Sequence, residues 1–141
     1  MRFNAITDID VELLKERSYT EAAEIFVKES TRGNRTIEDV RAATMYGHAA
    51  EVYLIQHHNF KDDPRPFKDL FNTVGKPVEV KVTEFLHYVP HVIRRCEEYA
   101  REKWRQYPAI VYIFIGNKSS LEYNLHGIYH WNGSNFIKEK E

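Results

Sequence analysis

The sequence predicts a single-domain α/β fold, in which helices flank a central β-sheet. Two segments carry apolar residues at three- and four-residue steps, as amphipathic helices do, at 36–57 and 90–105. Residues 77–83 alternate between apolar and polar side chains, which is typical of a strand with one buried face. Residues 109–115 are a continuous apolar run, which indicates a strand buried on both faces. The chain of 141 residues suits one domain with its own core.

The first 35 residues are predicted to be a helical extension of this domain. Two short helices are expected, at 8–17 and 19–29, and a hydroxyl residue is available to cap the second one. Residues 30–35 have the composition of a loop. We interpret the extension as a dimerisation or clamping element, or as plain packing against the domain.

The next helix is expected to be long and to begin at Thr36, whose hydroxyl can cap its first turn. Glu51 lies on the border of its apolar stripe, so its carboxylate could reach the edge of the sheet. The stripe itself consists of Val40, Ala43, Gly47, Ala50, Leu54 and His57.

A hairpin is predicted between residues 67 and 83. Residues 58–66 contain two prolines and read as a loop with at most a short strand. The break at Gly75 lets residues 67–73 fold back antiparallel on the strand at 77–83. This pairing would bring Asp69 towards Glu79.

The strand at 77–83 would present a carboxylate and an ammonium side by side, because Glu79 and Lys81 share one face. With Asp69 nearby, two carboxylates converge beside a lysine. Carboxylate oxygens suit a hard divalent cation such as Mg²⁺, and the lysine can orient or activate a water molecule. Asp62 or Asp63 is an alternative acidic partner at longer spacing, but Asp69 has the more strand-like context.

The C-terminal part continues the α/β pattern. Pro90 is well placed at the start of a helix that runs through residue 105. The run at 109–115 should lie inside the sheet, and residues 123–131 alternate as a further strand. Asn132 and Gly133 offer a tight turn into 135–138. The apolar face of the helix consists of Val92, Ile93, Cys96, Tyr99, Ala100 and Trp104.

Composition is that of an ordinary globular protein, with 43% hydrophobic and 29% charged residues and a net charge of -1. The single Cys96 excludes internal disulfides, and no membrane span or secretory leader is visible, so a cytoplasmic location is expected, in a bacterium or a phage-infected host. The near-neutral charge leaves local basic clusters as candidate phosphate contacts. These are Lys61, Arg65 and Lys68, and Arg94, Arg95, Arg101, Lys103 and Arg105.

Four histidines raise the possibility of zinc: His57, His58, His87 and His91. His87 and His91 have the spacing of one helical turn, but Pro90 interrupts it and no cysteine or acidic cluster completes a tetrahedral set. Packing or surface roles are therefore favoured. The sequence also has no nucleophile elbow and no glycine-rich phosphate loop.

Asp69 and the Glu-Val-Lys triplet at 79–81 resemble the site of the PD-(D/E)XK nuclease superfamily, in which an acidic residue is followed, after a short hairpin, by Glu-x-Lys on the next strand. Glu51 fits the glutamate that many members carry on the first helix of the core. The proline that leads the family pattern is replaced by Lys68. The resemblance extends from the forties to the late 120s.

The resemblance implies a restriction-endonuclease-like core at 36–131, with a mixed central sheet of four to five strands flanked by helices. Residues 1–35 would be the helical addition and 132–141 a C-terminal hairpin or tail. It also implies a Mg²⁺-dependent endodeoxyribonuclease, in which Mn²⁺ can replace Mg²⁺. The partner would be double-stranded or branched DNA, and the enzyme a homodimer or larger homo-oligomer.

The same resemblance assigns roles to individual residues. Asp69, Glu79, the Val80 carbonyl and Glu51 would hold the metal, and Lys81 would polarise the attacking water. Restriction-like, homing-like and junction-resolving activities all remain open. The alternative is a non-catalytic module that binds nucleic acid or protein, in which the acidic strand is structural.

Overall fold

The computed structural model describes residues 1–29, 35–65, 68–103 and 106–140, and it confirms the α/β class. In these residues, three α-helices accompany one sheet of seven strands. The helices are α1 (Val11–Glu29), α2 (Ile37–His58) and α3 (Val89–Glu102). The strands are β1 (Arg2–Asn4), β2 (Lys61–Asp62), β3 (Leu70–Phe71), β4 (Pro77–Thr83), β5 (Ile110–Gly116), β6 (Glu122–Trp131) and β7 (Phe136–Lys138).

The sheet is mixed, with the order β1-β6-β5-β4-β3-β2, and β7 pairs with β6. Strands β4 and β5 are parallel, whereas every other pair is antiparallel. A parallel pair needs a crossover, and α3 provides it between β4 and β5. The register places Glu79 opposite Val111 and Lys81 opposite Ile113.

Alternation along β4 and β5 sends their side chains into two separate cores. Helix α2, with α1 packed on it, covers one face of the sheet, and α3 covers the other. Val78 and Val80 belong to the α2 side, which places Glu79 and Lys81 on the α3 side. The α2-side core includes Phe3, Leu14, Ala50, Leu54, Phe114 and Tyr123, and the α3-side core includes Val89, Cys96, Ala100, Tyr107, Ile113 and Phe136.

Helix α2 has the predicted start and length. Thr36 accepts a hydrogen bond from the Asp39 amide, and the Asp39 side chain accepts one from the Thr36 amide, which completes a capping box. The helix ends at Asn59, whose left-handed backbone (φ 59°) stops it. Its buried stripe is rotated from the predicted one, because Ala43, Gly47 and His57 are exposed.

The N-terminal region differs from the prediction in two ways. A single helix, α1, replaces the two short ones, because the Ser18 hydroxyl donates to the Leu14 carbonyl inside the helix and caps no second one. Residues Arg2–Asn4 form a strand that pairs with β6, so the extension also joins the sheet. Together with β7, this strand raises the count from the expected four to five to seven.

The C-terminal elements agree with the prediction. Pro90 lies in the first turn of α3, β5 is largely buried inside the sheet, and Gly133 (φ +99°) forms the turn between β6 and β7. Trp104 and Arg105, included in the predicted helix and its basic cluster, lie outside the described residues, as do the loop at 30–34 and Phe67. No helix in the described part of the chain is long and apolar enough to span a bilayer.

Candidate active site

The site lies where the pairing of β4 with its neighbour stops. Strand β3 pairs only with the first two residues of β4, so the outer edge of β4 is open beyond Val78 among the described strands. Asp69, which lies just before β3, makes hydrogen bonds with the backbone of β4 at this edge. Its amide donates to the Val78 carbonyl at 3.0 Å, and its Oδ2 accepts from the Val80 amide at 2.8 Å. The carboxylate of Asp69 is thereby fixed against the backbone of β4.

Asp69 and Glu79 form a carboxyl pair at this edge. Glu79 is only 7% exposed, and its carboxyl group lies close enough to Asp69 to share a hydrogen bond with it. Burial raises the pKa of Glu79 well above its usual range, and the hydrogen bond and charge of Asp69 raise it further. Two adjacent carboxylates repel, and a proton or a cation between their oxygens would relieve that repulsion.

Lys81 supplies a positive charge beside this pair. Its Nζ lies 3.8 Å from Oε1 of Glu79, two residues away on the same face of β4. Burial favours the neutral amine, but the nearby acidic groups, Glu79 first among them, together outweigh burial and leave the pKa of Lys81 above its ordinary value. Lys81 is therefore an ammonium ion at neutral pH, suited to stabilising negative charge rather than to accepting a proton.

Glu51 approaches from α2, on the other side of the sheet, and is 3% exposed. It is near enough to Asp69 and Glu79 for their charges to interact. Burial raises the pKa of Glu51, and a hydrogen bond with His48 offsets part of that rise. Its two oxygens are already in use, since Oε1 accepts from Arg17 at 3.1 Å and Oε2 contacts His48.

Glu51 is therefore the centre of a polar network beside the site. Arg17 on α1 joins Glu51 to Asp62 of β2, and His48 on α2 joins Glu51 to Glu21 of α1. These contacts tie three elements together around one buried carboxylate. Sequence reasoning missed Arg17 and His48. The only local signal was the three-residue spacing of His48 and Glu51 on one helix face, which also occurs in pairs without function.

The predicted residues border one cavity of about 380 Å³. Glu51 contributes from α2, Asp69 from the start of β3, and Glu79 and Lys81 from β4. Because one liquid water occupies about 30 Å³, the cavity has room for a hydrated cation and a phosphate group.

The alternative acidic residues do not join this pair. Asp63 is buried, and Arg65 donates to its two oxygens from Nε at 2.9 Å and from Nη2 at 2.7 Å. These hydrogen bonds lower the pKa of Asp63. Asp62 is exposed and contacts Arg17. Of the three candidates, Asp69 is the one beside Glu79.

The histidines raised as zinc candidates have other surroundings. The His57 ring hydrogen-bonds the Asp8 carbonyl at 2.6 Å, and His87 stacks on Phe85. Over residues 1–29, 35–65, 68–103 and 106–140, no three His, Cys, Asp or Glu side chains are grouped so that they could hold a metal ion. Because Arg17 donates to Glu51, the carboxylates that remain at the site to bind a metal ion are those of Asp69 and Glu79.

Two carboxylates nevertheless suit Mg²⁺. This cation keeps several of its waters and usually takes one or two protein carboxylates, with substrate phosphate completing its shell. Asp69 and Glu79 lie close together, and the pKa of Glu79 is raised well above its ordinary value. A divalent cation between the two carboxyl groups would reduce the repulsion between their negative charges. The donor set thus fits the metal that the resemblance implies.

His48 is expected to make stability depend on pH. Burial alone would lower its pKa, but hydrogen bonds and charges from Glu51 and Glu21 outweigh burial and raise the pKa to about 9. A histidine with a raised folded-state pKa stabilises fully below about pH 6.5, and the contribution disappears as the pH rises through about 9. We expect the free energy of unfolding to fall by up to about 3 kcal/mol over that window.

Urea unfolding followed by circular dichroism between pH 6 and pH 9.5 measures this change. The His48→Gln variant should lose most of the slope, whereas His91→Gln, at an exposed position on α3, should keep it. Equal slopes in the wild type and His48→Gln would show that His48 is not the group responsible.

Compared with known proteins, the chain matches no family model, and no curated protein or solved structure shows significant similarity to it.

Proposed function

We propose that the chain is a metal-dependent DNA endonuclease with a restriction-endonuclease-like core. The observation that carries the proposal is the meeting of Asp69, Glu79 and Lys81 at the open edge of β4, beside a cavity large enough for phosphate. Burying Glu79 beside the half-buried carboxyl group of Asp69 is unfavourable for folding alone, which favours a role in binding a cation.

The order of the elements supports the same proposal. A helix carrying Glu51 is followed by two short antiparallel strands, the Glu-Val-Lys strand β4, the crossover helix α3 and the buried parallel strand β5. This is the succession that the resemblance implies for the core. The strand before the acidic one, for which the sequence leaves few residues, is β2 with only two residues.

Asp69 and Glu79 would hold the divalent cation, together with the Val80 carbonyl, and Glu51 would support it through water. Bound Mg²⁺ supplies a water of lowered pKa and neutralises charge on the phosphate under attack. Arg17 and His48 hold Glu51 in place, and the hydrogen bond from the Val80 amide holds Asp69. Lys81 would place its ammonium near the attacked phosphate and stabilise the negative charge that develops there.

The DNA would lie across the open edge of β4, with one phosphate in the cavity between that edge and α2 and the neighbouring duplex towards α3. Arg94 and Arg95 are exposed on α3, and the aromatic side chains of Phe85 and Tyr88 are exposed just before it. Arg65 and Arg101, from the two predicted basic clusters, are engaged with Asp63 and with the Ser134 carbonyl. A homodimer would place one such site at each strand of a duplex.

A cleavage assay with a lysine variant tests the proposal. Purified protein would be incubated with supercoiled plasmid, single-stranded DNA and a four-way junction, in Mg²⁺, Mn²⁺ or EDTA. We expect cutting only with a metal ion, and a rate about 10²-fold lower in Lys81→Ala, because the ammonium no longer stabilises the developing charge. The matched control is Lys76→Ala, which removes an exposed lysine from the same hairpin.

Cutting that persists in EDTA, or equal rates in Lys81→Ala and the wild type, would contradict this mechanism. DNA binding without cleavage on any substrate would instead favour the non-catalytic binding module.

A further inference from the structure

The exposed aromatic side chains of the described residues are all found on α3 and the turn before it. They are Phe85, Tyr88 and Tyr99, and every other Phe, Tyr or Trp that the structure describes is at least partly buried. Apolar residues that are exposed singly are ordinary on a protein surface. Three aromatic ones in one place indicate a surface that contacts a ligand or a partner.

Four exposed residues follow one another at three- and four-residue steps, namely Tyr88 at the N-cap of α3 and then His91, Arg95 and Tyr99. This spacing places their side chains in one row along the helix. The guanidinium carbon of Arg95 lies 5.7 Å from the centre of the Tyr99 ring. At the other end, Phe85 meets Tyr88 edge-on, with 5.5 Å between the ring centres. Together, Phe85, Tyr88, His91, Arg95 and Tyr99 form what we call the α3 row.

The α3 row combines aromatic rings with positive charge. Arg95 lies within it, and Arg94 is exposed beside it. Surfaces that bind single strands use the same combination, because rings stack on the bases and cations attract the phosphates. From Tyr88 to Tyr99 the row extends about 16 Å along the helix, the length of about five nucleotides in a B-form strand. In a duplex the faces of the bases are covered by their neighbours, so rings on a protein surface reach the faces of unpaired bases.

The α3 row is narrow for a stable protein interface. Such interfaces bury about 800 Å² on each partner, around a core that is depleted of charged residues. Arg94 and Glu98 are exposed on α3 immediately beside the row, and they interrupt any wider apolar surface there. A single line of rings with charged neighbours matches one strand of DNA instead.

The two ends of the α3 row lie at opposite ends of β4. Phe85 follows the end of this strand, whereas Tyr99 stacks on Tyr107, with 6.0 Å between the ring centres. Tyr107 comes just before β5, whose first residue pairs with the start of β4. The Tyr99 end of the row is therefore the end nearer to the carboxyl pair, and DNA that continues from the site towards α3 would meet the row.

We propose that the α3 row binds unpaired bases, so that the DNA cut at the site changes from duplex to single strand beside α3. The inference rests on the proposed function and names its substrate class. The substrate would be a duplex with a single-stranded tail, a flap or splayed arms, rather than an uninterrupted duplex.

The test is DNA binding by the full chain, measured by fluorescence anisotropy in EDTA, so that no metal ion contributes. A blunt duplex and a tailed duplex with the same number of phosphates are compared. We expect the wild type to bind the tailed duplex about 10-fold more tightly, and the double variant Phe85→Leu/Tyr88→Leu to lose that preference. Leucine is apolar but has no flat π-face. Both positions are exposed, so urea unfolding should show little change in stability.

Leu86→Ala is the matched control, since it removes an exposed apolar side chain from the same turn and leaves the rings in place. It should keep the wild-type preference for the tailed duplex. Tyr88→Phe retains the ring and should keep the preference as well.

Equal affinity of the wild type for the two DNAs, or a preference that survives in the double variant, would overturn the inference. Metal-dependent cleavage of plasmid would then still support the nuclease. An equal loss of preference in Leu86→Ala would show a general apolar contact and also overturn the inference. Conversely, a preference for tails that depends on the rings, without cutting of any DNA, would contradict the nuclease and leave the α3 row as a site for single strands.

Discussion

Replacing Glu79 by glutamine is expected to lower the rate of DNA cleavage by at least about 10³-fold, equivalent to about 4 kcal/mol of transition-state stabilisation, without loss of stability. The amide has the shape of the carboxyl group but cannot serve as an anionic ligand. It can donate to Asp69, so the repulsion between two carboxylates is removed. Function and stability should therefore change in opposite directions.

The pH dependence of stability gives this prediction a second readout. Because the pKa of Glu79 is raised in the folded state, protonation of Glu79 stabilises the fold of the wild type. This stabilisation is lost as the pH rises above about 4.5. Glutamine does not titrate. The stability of Glu79→Gln relative to the wild type should therefore grow between acidic and neutral pH, in EDTA, by urea unfolding.

Glu84→Gln is the control, since Glu84 follows the same strand and hydrogen-bonds only the exposed Lys118 amide among the contacts described for it. Its cleavage rate should stay within a few-fold of the wild type. If Glu79→Gln cuts DNA normally, Glu79 is no metal ligand. If it fails to fold, the carboxyl group is needed for structure, and the role proposed for the pair is wrong.

The hairpin of the site could be predicted from sequence because its signals are local. Alternation of Val78, Val80 and Val82 with polar residues defines one strand, and Gly75, which adopts φ +79°, marks the turn before it. With a short turn, the register follows, and it places Asp69 beside Glu79. The same holds for α2, because its N-terminal cap and its length both depend on residues that are close in sequence.

The surroundings of Glu51 could not be predicted, because they depend on contacts between distant parts of the chain. Periodicity placed Glu51 on the border of a stripe, yet Arg17, 34 positions earlier, makes its burial possible. The sequence of α1 contains several charged residues and does not show which one turns inward.

Replacing Arg17 by methionine is expected to cost about 3–4 kcal/mol of stability at neutral pH. Methionine preserves much of the apolar stem, so the loss reports mainly on charge. The side chain of Glu51 is 4% exposed and that of Arg17 is 16% exposed. Without the guanidinium, His48 is the positive partner that remains for this buried carboxylate among the contacts described for it. Urea unfolding at pH 7 measures the loss.

The control is Lys15→Met on the same helix, where Nζ of the partly exposed lysine lies 3.5 Å from Oε1 of the exposed Glu12. Exposed pairs of this kind contribute about 0.2–1 kcal/mol, so this variant should stay close to the wild type. A loss in Arg17→Met no larger than that of Lys15→Met would show that Glu51 tolerates burial without Arg17.

A double-mutant cycle separates the charge of Arg17 from its packing. Adding Glu51→Gln to Arg17→Met removes the uncompensated carboxylate, so the double variant should be more stable than Arg17→Met alone, with a coupling energy of about 1–3 kcal/mol. The raised pKa of Glu51 leads to the same result by another route, because acid protonates the carboxyl group and should shrink the loss. If neither Glu51→Gln nor acid restores stability, Arg17 stabilises the protein by packing α1 on α2. In that case the surrounding fold, and not the ion pair with Arg17, positions Glu51 at the site.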